Sequence, residues 1–148
     1  MAESGLFKHP LSVTGFAACA EFGSYAFVHP LIRRLPRDHH VTVEKGLLRT
    51  FGRVMPVLMT LCVVLSIVHA ARAVHVNALH WLSAVAFTLA LVSTLIFNVP
   101  INRATSRWDP ANPPENWKEV RNKWEFFQGL RAWLLLIGFV LQCAAVSI

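Results

Sequence analysis

The chain has 148 residues, 55% of them apolar and 15% charged, and a formal net charge of +6. That composition excludes an ordinary soluble domain of this length. The basic residues sit at the ends of long apolar stretches rather than on a soluble face, which favours membrane orientation over nucleic-acid binding.

Four stretches are long and apolar enough to cross a bilayer core: residues 10–32, 54–74, 78–101 and 130–148. They predict an all-α integral membrane protein, a four-helix transmembrane bundle in one domain over residues 1–148. Residues 1–9 form a short polar lead. Lys8 with the apolar run after it imitates a secretory leader, and Cys19 after Phe16-Ala17-Ala18 imitates a lipoprotein site. The run continues past any small-residue cut, so it reads as the first helix. In that helix Glu21, Tyr25 and His29 are spaced i, i+4, i+8 and share a face. Gly15, Cys19 and Gly23 line another face with small residues, suited to a neighbouring helix and compatible with a homo-oligomer.

The first connection contains Pro36 and the polar run Arg37-Asp38-His39-His40, and reads as helical from about Val43. The second, near Arg72–Asn77, is so short that the second and third helices should form an antiparallel hairpin. Along the third helix Thr94, Asn98 and Asn102 repeat a four-residue spacing. Asp109-Pro110-Ala111-Asn112-Pro113-Pro114 is a clear turn. A helical pattern resumes near Glu115 and projects beyond the membrane over 115–129 before the last span. It carries Trp117, Arg121, Trp124, Gln128 and Arg131 within one narrow arc.

All but Lys8 and Arg72 of the 14 lysines and arginines lie in the first and third connections or at their edges. The positive-inside rule then places both basic connections in the cytoplasm and both termini on the other side of a multi-pass protein. Cys19, Cys62 and Cys143 fall in different spans and form no CxxC pair, so buried reduced thiols are expected.

Polar groups inside a membrane are costly and usually face the bundle interior. In the predicted orientation His29 lies near the cytoplasmic end, with Glu21 about 12 Å deeper. His29, Arg53, Asn98, Asn102, Trp124, Gln128 and Arg131 should meet in one layer, as a pocket open to the cytoplasm or the inner leaflet. Plainer readings stand beside this one. His29-Pro30 can simply end a helix, and Asn98-Val99-Pro100-Ile101-Asn102 can be a helix terminus. The tryptophans can anchor at the interface, and Arg53 and Arg131 can snorkel to headgroups. Glu21 resists a bland account, needing a cationic or hydrogen-bonding partner or the neutral acid form. His39, His40, His69, His75 and His80 read as surface residues. With no Glu-x-x-His or His-x-x-x-His pair on any span, and no glycine-rich fingerprint, a cofactor-free site or one weakly bound metal remains.

The segment Asn98-Val99-Pro100-Ile101-Asn102, followed by Trp117, Arg121, Trp124-Glu125 and Arg131, resembles the DUF1772, or anthrone oxygenase-like, membrane family. Gly23, Tyr25 and His29-Pro30 fit that family's amino-terminal pattern, and the likeness spans nearly the whole chain. Gln128 stands where many relatives are expected to carry His. The resemblance implies a small oxygenase that converts the activated methylene carbon of an anthrone to a carbonyl with O₂, with no organic cofactor. On that reading His29 is the general base. Arg131, Asn98, Asn102 and Gln128 stabilise an enolate oxygen, Tyr25 and Trp124 stack on the flat substrate, and Arg53 and Glu21 support binding. The partners are then the lipid bilayer and an apolar aromatic small molecule. Two other readings compete: a transporter subunit or scaffold built around Glu21, and a glutathione-using membrane enzyme.

Overall fold

The structure, a computed structural model, describes residues 3–73 and 78–147, with side chains from Pro10 onward. His75 lies outside the described residues. Helix α1 (Glu3–Gly23) runs through a π-helical turn (Ser24–Val28) into the short α2 (His29–Ile32). After α3 (Arg37–Arg49) comes α4 (Phe51–Arg72). Then α5 (Ala78–Ser93) runs through a second π turn (Thr94–Asn98) into α6 (Val99–Ser106), and α7 (Trp117–Ser147) closes the fold. Among the described residues there is no strand.

Four helical stretches are long and apolar enough to cross a membrane: Pro10–Ile32, Phe51–Arg72, Ala78–Ser106 and Trp117–Ser147. They pack as a ring in which α1 and α5 each lie against both α4 and α7. Large apolar side chains such as Phe16, Phe27, Val57, Ile96 and Phe126 cover the outside. A hydrocarbon exterior of this kind lets the polar residues turn inward, the reverse of a soluble bundle.

Small residues bring the helices close. Ala17, Ala18 and Ala90 pack with Met55, Met59, Cys62, Phe87 and Leu135 in the apolar core. A Cβ placed on Gly15 would lie 2.9 Å from the Phe139 ring, so this glycine is used inside the chain, against α7. Cys19 is exposed and Cys143 half-buried, leaving only Cys62 as the buried thiol expected of all three. Between α1 and α7, the Thr14 hydroxyl donates to Gln142 Oε1 at 2.8 Å. Between α5 and α7, the Ser83 hydroxyl donates to the Gly138 carbonyl, also at 2.8 Å.

Both π turns lie just ahead of a proline. Proline has no N–H, and its ring collides with the carbonyl four residues back in a regular helix. Ahead of Pro30 the His29 N–H reaches back five residues to the Ser24 carbonyl, and ahead of Pro100 the Val99 N–H reaches the Thr94 carbonyl. One wide turn thus accommodates the ring and the helix goes on. His29-Pro30 and Asn98–Asn102 are therefore not helix ends, and the third long helix continues to Ser106.

Two connections differ from the sequence reading. Helix α3 begins at Arg37, directly after Pro36, rather than near Val43. Its buried face carries His40, Val41 and Glu44. The last helix starts at Trp117, after a turn in which the Ala111 N–H donates to Asp109 Oδ1 at 3.0 Å. His40, His69 and His80 are buried rather than on the surface, and only His39 of the described four is exposed. His69 and His80 face each other across α4 and α5, with ring centroids 5.1 Å apart.

Candidate active site: a charged cleft at the basic end of the bundle

Glu21 is fully buried one turn before the first π turn. Its Oε2 accepts from Gln128 Nε2 at 2.7 Å and from Arg131 Nε at 3.2 Å, with Arg131 Nη2 at 3.1 Å. Arg131 Nη1 reaches the Thr94 hydroxyl at 3.4 Å, and Arg131 Nη2 also donates to Gln128 Oε1. Gln128 and Arg131 lie three apart on α7, so one helix face presents both. Glu21 thus has the cationic partner it needs, and α1, α5 and α7 meet in one polar knot.

About two helical turns along α1 from Glu21, a second charged group forms around α3. Glu44 Oε2 pairs with Arg121 Nη2 at 2.5 Å, both groups almost fully buried. Glu44 Oε1 lies 3.7 Å from His29 Nδ1 and 3.8 Å from His40 Nε2. Burial pushes the Glu44 pKa up, and the Arg121 charge works against that rise. Burial, aided by Arg121, pushes the His40 pKa below its usual 6.5. Trp124 packs beside His29 and under Arg121. Its ring centroid is 5.0 Å from that of His29, and the Arg121 guanidinium stacks 4.2 Å from its centre.

The two groups border one cleft of about 490 Å³, open mouth included. Glu21, His29, Glu44, Asn102, Trp124, Gln128 and Arg131 supply its polar wall; Leu47, Leu48, Phe51, Met55 and Val99 are among its apolar residues. Five polar atoms of this wall, Glu21 Oε1, His29 Nδ1, Glu44 Oε1, Asn102 Oδ1 and Trp124 Nε1, are buried without a hydrogen-bond partner among the described residues. Buried polar atoms are rarely left so, and this group around one cleft makes it the candidate site. Among the described residues, no three His, Cys, Asp or Glu side chains gather closely enough to hold a metal ion.

Of the seven residues expected to meet in one layer, five line the cleft together: His29, Asn102, Trp124, Gln128 and Arg131. Glu21 joins them. Asn98 lies behind the wall, fully buried, and its Nδ2 donates to the Trp124 carbonyl at 3.1 Å. Tyr25 packs against Gly129, where an added Cβ would sit 2.8 Å from its ring, and is not part of the cleft wall. Arg53 is exposed on the first turn of α4 and belongs to a neighbouring depression, not to the layer expected of it. Glu44 was not anticipated. Its one sequence signal is the four-residue spacing from His40 on an amphipathic helix.

An all-helical bundle with four helices suited to a membrane and a charged cleft between them defines the structural class. Residues 47–141 match the family model described as anthrone oxygenase, well over half of the chain. The chain belongs to the anthrone oxygenase family. No curated protein and no solved structure matches it. The matched segment includes Asn98, Asn102, Arg121, Trp124, Gln128 and Arg131, whereas Glu21, Tyr25, His29 and Glu44 precede it.

Proposed function

We propose that the chain is a multi-pass membrane oxygenase acting on a polycyclic aromatic substrate of the anthrone type, with its basic connections in the cytoplasm. The reaction converts an activated methylene carbon to a carbonyl using O₂. The observation that carries this reading is the ring of unpartnered buried polar atoms around the cleft, with His29 among them, in a chain of this family.

His29 removes a proton from the methylene carbon, made acidic by the flanking rings and the carbonyl across from it. The Glu44 carboxylate, 3.7 Å from Nδ1, favours the imidazolium that results. Arg131, Gln128 and Asn102 face the same cleft and supply the polar environment for the enolate oxygen. Trp124 offers an aromatic face to the flat substrate. Asn98 acts as a positioning residue through the Trp124 backbone, and Tyr25 through the fit of α1 on α7. The electron-rich enolate carbon adds to O₂ and takes up a proton as the hydroperoxide. Loss of the remaining C–H proton with cleavage of the O–O bond leaves the ketone and one water. The substrate supplies all the electrons, so O₂ is the sole co-substrate; no organic cofactor or metal is required by this scheme.

The test is O₂ uptake by the purified, detergent-solubilised protein given anthrone, with heat-denatured protein as control. His29→Ala should lower turnover about 10²–10⁴-fold. No acceleration over the denatured control, from protein shown to be folded, would refute the oxygenase reading. The competing proton-coupled transporter needs a free acid at Glu21, and the Arg131 partner takes that acid away.

A further inference from the structure

Beside the cleft lies a second depression of different chemistry. It sits where the last turn of α3, the first turn of α4 and α6 come together, and it measures about 850 Å³ with its open side included. Lys45, Arg49, Arg53 and Arg103 form its basic wall, and no acidic residue lines it. Lys45 Nζ is already committed to the Trp108 carbonyl at 2.7 Å. Arg49, Arg53 and Arg103 are exposed, and none has an ion-pair or side-chain hydrogen-bond partner among the described residues. Three free guanidinium groups around one hollow repel one another, and an anion placed among them relieves that repulsion.

The depression is not isolated. Leu48, Gly52, Val99 and Asn102 line both it and the cleft, so the two share a wall. Gly52 has no side chain to divide them, and Asn102 presents its unpartnered Oδ1 at the junction. A molecule whose flat apolar body enters the cleft can therefore extend a substituent to the arginines.

We propose that the substrate carries a carboxylate, and that Arg49, Arg53 and Arg103 bind it while the ring system occupies the cleft. The inference rests on the oxygenase reading of the cleft and adds a substrate class to it: an acidic polycyclic aromatic in place of a neutral one. Exposed guanidinium groups bind an anion with modest strength each, and together they give a preference of about tenfold.

Equilibrium dialysis of two inert probes, anthraquinone-2-carboxylate and anthraquinone-2-carboxamide, tests this on the full chain in a zwitterionic detergent. The acid should bind about tenfold more tightly than the amide. That ratio should fall towards one in Arg49→Gln/Arg103→Gln and in high salt. Both arginines are exposed, and a melting curve checks that the variant is folded. An amide that binds as well as the acid would sink the carboxylate site and leave the cleft reading standing. Failure of both probes to bind would sink the cleft reading and this inference with it. A third arm adds phosphatidylglycerol. If the double variant loses retention on that lipid while its acid-to-amide ratio stays unchanged, the arginines serve headgroups and the inference is overturned.

Discussion

Glu21 and Arg131 carry opposite charges at a depth where neither tolerates solitude. Replacing Glu21 with Gln leaves Arg131 buried with two neutral neighbours, Gln128 and Thr94, and no counter-charge. Breaking one side of a buried pair costs about 3–5 kcal/mol, so E21Q should unfold at a markedly lower SDS fraction or temperature than the wild type. E21Q/R131M should recover part of the loss; equal stability of E21Q and wild type would show the pair to be idle. The polar members of this knot were legible in sequence, since a glutamate in a membrane span demands a partner and the arc on α7 supplies one. Glu44 was not legible. It sits in a connection of mixed composition where a carboxylate is ordinary, and only the fold of α3 against α7 takes it out of water.

At the level of elements, α3 is held to the bundle through a buried titratable group, and its docking should depend on pH. The His40 pKa lies below its ordinary 6.5, so the unfolded state binds the proton more readily. The stability it contributes is complete above 6.5 and is lost as the pH falls below that value. Glu44, with its pKa raised, works in the opposite sense, gaining as it protonates. Comparing the wild type with His40→Gln isolates the histidine: between pH 7 and 5.5 the wild-type melting temperature should fall more steeply than that of H40Q. Parallel curves would remove His40 from the account. The π turns make a second prediction. Each inserts one residue into a helix ahead of a proline, so deleting the exposed Ile96 together with Pro100→Ala should return that turn to α-helix and keep α6 in phase. Deleting Leu89, in the regular part of the same helix, rotates everything after it by about 100°. The first variant should stay monodisperse in detergent and the second should not. Span positions were readable because hydropathy sets them. Helix continuity through Pro30 and Pro100 was not, because a proline in sequence marks a stop and a widened turn equally well.

For the whole molecule, the count of long apolar helices and the packing of α4 on α5 followed from hydropathy and one short connection. Which faces turn inward did not. Apolar residues surround these helices on nearly every side, and buried His69 and His80 look like ordinary span-end polar groups until the bundle closes over them. The family match frames residues 47–141 without assigning the amino-terminal half of the cleft, which lies before the matched segment. One feature of the polar knot reaches back to synthesis. Glu21 belongs to the first of the four spans and Arg131 to the fourth, with more than a hundred residues between them. The first span is also the least hydrophobic of the four. During translation its acid has no access to Arg131 until the fourth helix has been made. Nascent chains cut short after α6 should leave the first span poorly inserted in a glycosylation-mapping assay, and E21L should insert without waiting.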